Sequence, residues 1–139
     1  MASKDTVLEV NDLHTYFFNR RGITKAVDGE SFSLKEGETL GIVGESGCGK
    51  TQTAFSIIKL IAENGYHPSG NVFFEDRDLS KLDQEEMLLL RGNDIAMIFQ
   101  EPMTSLNPLF RIGDQLQEPL KQHMKIAQSE SRNLSLIHI

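Results

Sequence analysis

The feature that most limits what this chain can fold into is a segment that fits the pattern G-x-x-x-x-G-K-[ST]. Its residues are Gly44, Glu45, Ser46, Gly47, Cys48, Gly49, Lys50 and Thr51. The segment lies between a short apolar run, Thr39–Val43, and a stretch from Lys50 to about Glu63 in which apolar residues recur at helical spacing. A strand, a glycine-rich loop and a helix in this order favour a phosphate-binding loop.

Each part of this loop has a physical reason. Glycine lacks a Cβ, so the backbone can wrap closely around an anion. The N–H groups of the loop and the positive end of the following helix then favour the β- and γ-phosphates of a nucleotide. Lys50 adds a mobile positive charge, and the hydroxyl of Thr51 can ligate Mg²⁺. A glycine-rich turn that binds nothing is the alternative, and the strand and helix around the loop argue against it.

Strands alternate with helices along the rest of the chain, which is typical of an α/β protein with a parallel core sheet. Besides Thr39–Val43, which we expect to be buried on both faces, strands are predicted at Val7–Leu13 (near an edge), Ile23–Val27, Ser31–Leu34, Asn71–Glu75 and Asp94–Phe99. The early strands look antiparallel. Turns are predicted at Asn19–Gly22, Lys35–Glu38 and His67–Gly70.

Three helices are predicted from apolar spacing and capping residues. They are Lys50–Glu63, stopped by Asn64-Gly65, then Lys81–Leu90 with Ser80 as N-cap and Gly92 beyond its end, and finally Ile112–Lys125. The buried face of the first helix is expected to consist of Ala54, Ile58 and Ile61, widened by Phe55 and Ala62. The acidic residues Asp83, Glu85 and Glu86 suit the solvated first turn of the second helix.

Composition excludes several classes of function. The net charge of −6 over 139 residues argues against a broad surface for nucleic acid. The single cysteine, Cys48, rules out an intrachain disulfide. No apolar run approaches the roughly 20 residues of a membrane span. We therefore expect a cytosolic protein that reaches a membrane only through partners. The histidines show no metal-ligand spacing, with one another or with Cys48.

Three blocks of sequence resemble the ATP-binding subunits of ABC transporters, in particular those of peptide-type importers (oligopeptide, dipeptide and nickel). The blocks are LEVNDL, AVDGESFSLKEGETLGIVGESGCGKT and RGNDIAMIFQEPMTSLNP. The third is the most specific, because FQEPMTSLNP extends far beyond what a phosphate loop requires. The resemblance runs from about residue 7 to about residue 125. It implies an ABC-type P-loop fold, with a parallel core sheet and an antiparallel β subdomain, that binds ATP and Mg²⁺.

The resemblance also implies roles for two residues outside the loop. Gln100 corresponds to the Q-loop glutamine, which contacts Mg²⁺ or the attacking water, although a polar residue that simply ends a strand is the alternative. Phe17 lies where the family has an aromatic residue that stacks on adenine, with Tyr16 as the second candidate and plain core packing as the third. Strand alternation puts Phe17 on the opposite face from Tyr16 and Phe18. Glu101 is not expected to be the catalytic base, because a Walker B strand ends in Asp-Glu and position 100 is glutamine.

Several motifs of the family are absent from the 139 residues: the LSGGQ signature, the Walker B Asp-Glu pair, the D-loop and the switch histidine. We therefore expect residues 1–128 to be the N-terminal part of a nucleotide-binding domain, truncated in its helical subdomain. Residues 129–139 are expected to be a tail produced by truncation or read-through. The chain itself is expected to be deficient in ATP hydrolysis, whereas its parent family hydrolyses ATP.

The partners implied by the resemblance are transmembrane permease subunits, a second nucleotide-binding subunit and, indirectly, a solute-binding protein. The implied location is the inner face of the cell membrane. Two alternatives stay open. The chain could be a non-enzymatic nucleotide-binding fragment, or it could come from another P-loop enzyme, such as a small kinase or a soluble ABC ATPase of DNA repair. The FQEPMTSLNP block argues against the second of these.

Overall fold

A computed structural model describes residues 5–100, 106–124, 126, 130–131 and 133–134. The chain divides into two compact units, residues 1–87 and residues 88–139. The predicted boundary between domain and tail, at residues 128 and 129, lies outside the described residues and stays a prediction. Within the described part of the chain, no helix is long and apolar enough to cross a membrane.

The first unit is built on an antiparallel sheet. Its strands are β1 (Thr6–Asn19), β2 (Gly22–Lys35), β3 (Gly65–Tyr66), β4 (Asn71–Phe74) and β5 (Arg77–Asp78). The sheet order is β2-β1-β4-β5, and β3 pairs with the end of β1. The expectation that the first strand lies near an edge was therefore wrong, because β2 flanks β1 on one side while β3 and β4 flank it on the other.

The two short strands predicted at Ile23–Val27 and Ser31–Leu34 form one continuous strand, β2. The turn at Asn19–Gly22 forms as predicted, with the main-chain N–H of Arg21 donating to the side-chain oxygen of Asn19 at 2.8 Å. Because this turn is tight, β2 pairs with β1 along its whole length. The ladder contains register shifts where one strand has an extra residue. The turn at Lys35–Glu38 also forms, closed by a 3.1 Å hydrogen bond from Glu38 N to Lys35 O.

The strand predicted at Thr39–Val43 does not form, and its expected burial on both faces was wrong. Residues 38–45 have no regular secondary structure. The side chains of Leu40 and Ile42 are 43% and 49% exposed, and that of Val43 is 93% exposed. The physical reason is the lack of a partner: no strand among the described residues pairs with this segment. A strand is stable only when its backbone N–H and C=O groups are paired.

The strand predicted at Asp94–Phe99, in the second unit, is absent for the same reason. Within the described residues its only pairing is an isolated bridge between Arg91 and Ile95. Ile98 is 97% exposed, so the apolar run has no core to enter. Gly92 does end the preceding helix in a left-handed conformation, φ +80°, as predicted.

The helices are α1 (Lys50–Ile57), α2 (Gln84–Leu90) and α3 (Ile112–Pro119); a short 3₁₀ turn covers Leu79–Lys81, and a π turn, Leu120–Met124, follows α3. Helix α1 is about six residues shorter than predicted. It ends in a Schellman motif, with Leu60 N donating to Phe55 O at 2.8 Å and Lys59 N to Ser56 O at 3.1 Å. Lys59 occupies the left-handed position usually taken by glycine, φ +52°. No sequence pattern signalled this end.

Ser80 is not the N-cap of the second helix. Its hydroxyl accepts a 3.0 Å hydrogen bond from Val72 N of β4, inside the sheet unit. Helix α2 instead begins with a capping box in which Glu86 N donates to Asp83 Oδ1 at 2.8 Å and Asp83 N donates to Glu86 Oε2 at 2.9 Å. The acidic residues therefore cap the helix as well as favouring its dipole.

The core of the first unit lies between α1, the 3₁₀ turn and the sheet. Its buried apolar side chains are Val10, Leu13, Val27, Ile58, Val72, Leu79 and Met87. Helix α1 buries Thr53 and Ser56 rather than the whole predicted face. Of that face Ile58 is buried, but Ala62 is exposed. The prediction failed here because it counted only apolar residues, whereas β1 offers a buried hydroxyl, Thr15, to the helix.

Candidate nucleotide-binding site

The loop at residues 44–51 adopts a conformation that only glycine accepts easily. Gly47 and Gly49 have φ values of +83° and +102°, in the left-handed region. Cys48 N donates to Glu45 O at 3.3 Å, which closes a turn inside the loop. Helix α1 begins at Lys50, directly after the second of these glycines. The glycines at positions 47 and 49 are therefore required by backbone geometry.

Space also limits two glycines of the loop, Gly49 more strictly than Gly44, because the obstacle is main chain at Gly49 and the end of a side chain at Gly44. A Cβ on Gly44 would lie 2.6 Å from the sulfur of Cys48. A Cβ on Gly49 would collide with the carbonyl oxygen of Ala26 on β2. Ala26 is the residue that the register shift leaves out of the ladder, since Thr15 pairs with Val27 and Tyr16 with Lys25. The end of the loop thus rests on the sheet at this irregularity, and the sheet fixes its position.

Lys50 folds back over the loop that precedes it. Its Nζ donates to the carbonyl oxygens of Gly44 at 2.8 Å and Glu45 at 2.7 Å, and lies 3.5 Å from the sulfur of Cys48. An ammonium group held by neutral carbonyls can exchange them for phosphate oxygens, which are stronger acceptors because they are charged. The predicted role of Lys50 in binding phosphates stays a prediction.

The start of α1 is open to an anion. Its N-cap residue is Gly49, so no side chain caps the helix, and the first turn contains no acidic residue. The main-chain N–H groups of a first helical turn have no partner within the helix, and the helix dipole makes this end positive. Thr51 is exposed in the same turn, so its hydroxyl is accessible to a metal ion bound with phosphates.

Phe17 lies on the face of β1 that packs toward α1. It pairs with Gly65 of β3, and a Cβ at Gly65 would lie 2.7 Å from Cε1 of Phe17. Tyr16 and Phe18 lie on the other face, where the ring of Tyr66 packs edge-on against Tyr16 at 6.0 Å and stacks on Phe18 at 4.7 Å. The predicted alternation of faces is confirmed. The role of Phe17 in stacking on adenine stays a prediction.

Tyr16, the second candidate for stacking, is engaged in a polar cluster that sequence analysis missed. Its hydroxyl donates to Asp28 Oδ1 at 2.6 Å, which raises the pKa of Tyr16 and lowers the pKa of Asp28. Lys25 lies over the Tyr16 ring, with its Nζ 5.1 Å from the ring centroid. His14 joins the cluster through Nδ1, 3.0 Å from Asp28 Oδ1. Pairing of β1 with β2 brings these residues together, and only the observed register could have revealed it.

Gln100 lies in the second unit, where its side chain is exposed. The strand expected to precede it is not formed, so residues 96–99 lead to it without regular structure. Its predicted role as the Q-loop glutamine, with a contact to Mg²⁺, stays a prediction. Glu101 lies outside the described residues.

Comparison with known proteins agrees with these features. The family model described as ABC transporter matches residues 27–138. A probable peptide ABC transporter ATP-binding protein of Sinorhizobium fredii, y4tR, is 44% identical over 95% of this chain and 40% of its own length. The oligopeptide transport ATP-binding protein AppD of Bacillus subtilis is 45% identical over 91% of this chain and 39% of its own length. The chain thus spans about two fifths of the length of these relatives.

A solved structure shares the fold. The ATP-binding cassette MJ0796, in a dimeric post-hydrolysis state bound to ADP and Pi, superposes with a TM-score of 0.76 at 22% identity, over 93% of this chain and 54% of that one. This likeness confirms the predicted ABC-type fold class. The family match covers most of the chain. The chain belongs to the ABC transporter family.

Proposed function

We propose that this chain binds the triphosphate of ATP at residues 44–51 and forms part of an ATPase subunit that powers uptake of peptides or related solutes. The observation that carries the proposal is the geometry of the loop. Lys50 Nζ is held over two main-chain carbonyls of the loop, beside an uncapped helix start. The relatives suggest the solute class, because they are ATP-binding proteins of peptide and oligopeptide transport.

Each residue of the loop has a role in this proposal. The glycines keep Cβ atoms out of the cradle, and the N–H groups of the loop donate to the phosphates. Lys50 binds the β- and γ-phosphates, and the Thr51 hydroxyl holds Mg²⁺, which neutralises phosphate charge when bound. Phe17 supplies a face for adenine, since stacking on an aromatic ring needs no base-specific hydrogen bond. Gln100 contacts Mg²⁺ or the attacking water.

Hydrolysis belongs to the parent protein in this proposal, and the chain of 139 residues binds ATP without turning it over. The sequence contains neither the signature nor the Asp-Glu pair that orients water in the family. Binding without extra stabilisation of the transition state does not accelerate a reaction. The proposed partners are permease subunits, a second nucleotide-binding subunit and, indirectly, a solute-binding protein, at the inner face of the cell membrane. No nucleic acid is among them.

The test is calorimetry of Mg-ATP binding to the wild-type chain and to Lys50→Ala. Charge-assisted hydrogen bonds contribute about 1.5–3 kcal/mol, so we expect affinity to fall roughly 10- to 100-fold. Lys35→Ala is the matched control, because it removes the same charge from an exposed position at the end of β2. Equal binding by wild type and Lys50→Ala would refute the phosphate-loop assignment. Phosphate release that Lys50→Ala abolishes would refute the expected lack of turnover.

A further inference from the structure

We propose that a buried chain of hydrogen bonds through His67, Thr15 and Ser56 aligns the phosphate loop with the adenine-binding face of Phe17. The proposal rests on the proposed function and adds three positioning residues to it. Their side-chain hydrogen bonds run to one another, to Gln52 O and to His14 O, and not to residues 44–51. They would act by holding helix α1 at one fixed place on strand β1.

The direction of the chain follows from its acceptors. Ser56 Oγ lies 2.5 Å from the carbonyl oxygen of Gln52, which can only accept, so the Ser56 hydroxyl proton is used there. Thr15 Oγ1 lies 2.7 Å from Ser56 Oγ and therefore donates to it. His67 Nδ1 lies 3.0 Å from Thr15 Oγ1 and 3.2 Å from the carbonyl oxygen of His14, so Nδ1 carries the proton and donates to both. The acceptors therefore determine which atom is the donor in each of these hydrogen bonds.

The two hydroxyls of this hydrogen-bond chain are buried, whereas His67 is half-buried and, like Ser56, borders a cavity. Thr15 is 0% exposed and Ser56 is 2% exposed. Leaving a buried hydroxyl without a partner is costly, so the helix is held at the position that keeps both hydroxyls paired. Apolar packing alone lacks this directionality. The polar pair thus defines where α1 lies along β1, and apolar neighbours such as Leu13 and Ile58 supply the attraction.

Short rigid paths connect this chain to both halves of the proposed site. Ser56 and Lys50 lie on the same helix, six residues apart, which is about 9 Å along the axis. Thr15 and Phe17 lie on the same face of β1, two residues apart, which is roughly 7 Å. Gly49 adds a second fixed point where it meets the carbonyl of Ala26. We infer that the Thr15–Ser56 contact and the contact of Gly49 with Ala26 together set the distance between loop and aromatic face.

The surroundings of the second ring nitrogen of His67, Nε2, favour the neutral form of the ring. His67 Nε2 is buried and has no hydrogen-bond partner among the described residues. His67 borders a cavity of about 120 Å³ that Lys59 also lines, together with apolar residues such as Val72 and Leu79. Burial lowers the pKa of His67, and the charge of Lys59 lowers it further. The neutral ring therefore carries its one proton on Nδ1, which donates to Thr15 and to the carbonyl oxygen of His14.

The test compares two ligands, Mg-ATP and Mg-tripolyphosphate, with the 139-residue chain. Tripolyphosphate contacts only the loop. ATP contacts both the loop and the adenine-binding face of Phe17, so its affinity depends on their relative position. Thr15→Val keeps the shape of the side chain and deletes the hydroxyl. We expect it to weaken ATP binding about tenfold while tripolyphosphate affinity changes less than about twofold. Thr15→Ser retains the hydroxyl and should bind ATP like the wild type. Thr39→Val, at an exposed position outside the sheet and the helices, is the matched control.

A double-mutant cycle shows whether the effect passes through Phe17. Phe17→Ala should itself weaken ATP binding and spare tripolyphosphate. Adding Thr15→Val to Phe17→Ala should then cost little more, because there is no aromatic face left to misalign. Full additivity would overturn the proposal, as would an equal loss for both ligands or no loss for either. If Thr15→Val does not fold, judged by thermal unfolding, Ser56→Ala and Ser56→Thr replace the pair with the same expectations.

Failure of the proposed function gives a different result. In that case the wild type would bind neither ATP nor tripolyphosphate in a way that depends on Lys50. Lys50-dependent binding of both ligands, without the selective loss in Thr15→Val, would leave the phosphate site intact and overturn only the alignment.

Discussion

The hairpin of β1 and β2 and the segment at residues 38–45 respond differently to similar sequence. Both contain the β-branched and apolar residues that are enriched in strands. Yet β1 and β2 form a ladder of 14 residues each, while residues 38–45 have no regular structure. The hairpin finds its partner across a tight turn. A parallel strand needs a partner reached by a long crossover.

The difference teaches that strand propensity describes a side-chain preference, while strand formation depends on a neighbouring backbone. Val10, in β1, is 1% exposed, and Val43, in the unpaired segment, is 93% exposed. The same residue type therefore contributes to the core in one region and meets solvent in the other. An exposed apolar segment with unpaired backbone groups is also a site for self-association.

The largest effect expected from this contrast is in amide hydrogen exchange. Amides of residues 40–43 have no ladder and should exchange at nearly the rate of an unstructured peptide. Amides of β1 around Val10 and Thr15 open only when the unit unfolds, so they should exchange about a thousandfold more slowly or more. Mass-spectrometric exchange on peptides from the two regions measures this. Equal protection would mean that residues 40–43 pair with a strand in solution.

A matched pair of substitutions gives the next largest effect. Val10→Ala removes two buried methyl groups and should lower the free energy of unfolding by about 2 kcal/mol. Val43→Ala makes the same chemical change at an exposed position and should alter it by less than about 0.5 kcal/mol. Denaturant unfolding of both variants measures the difference. A cost at Val43 as large as at Val10 would show that the segment is packed, and would break the comparison.

The features that the sequence predicted correctly are those whose cause is local. The turns at Asn19–Gly22 and Lys35–Glu38 and the strand near Asn71 depend on nearby residues with special backbone freedom or alternation. The failures share a non-local cause. The strand at Thr39–Val43 lacks a partner, and β1 is interior because β3 and β4 return to it from more than forty residues away.

The site divides in the same way. The spacing of glycine and lysine indicated the loop residues, and their binding of a nucleotide stays a prediction. The hydroxyl pair of Thr15 and Ser56 was missed for two reasons. The two residues are 41 positions apart, and core positions were predicted from apolar residues only. A buried polar contact of this kind leaves no periodic signal. It follows only from knowing which strand the helix packs on.

The smallest expected effect concerns pH and is confined to the sheet unit. The pKa of His67 is lowered from its usual 6.5, by burial first and by Lys59 second, against the hydrogen bond to His14 O, which raises it. Between the folded and unfolded pKa values the unfolded chain binds more protons. Stability should therefore be complete above about pH 6.5 and fall as pH drops below it. Thermal unfolding between pH 7.5 and about pH 5.5 measures this slope.

His67→Asn isolates the contribution of this ring, because the asparagine amide can replace the Nδ1–H donor but does not titrate. The variant should have a flatter pH profile than the wild type, and the difference between the two profiles should appear below pH 6.5 only. Asp28 and Asp78, whose pKa values are lowered below 3.8, lose their stabilising contribution at lower pH and leave this window unchanged. Since residues 38–45 contain no histidine, their exchange protection should not follow the same slope. Identical profiles for wild type and His67→Asn would show that the ring does not resist protonation and would contradict the prediction.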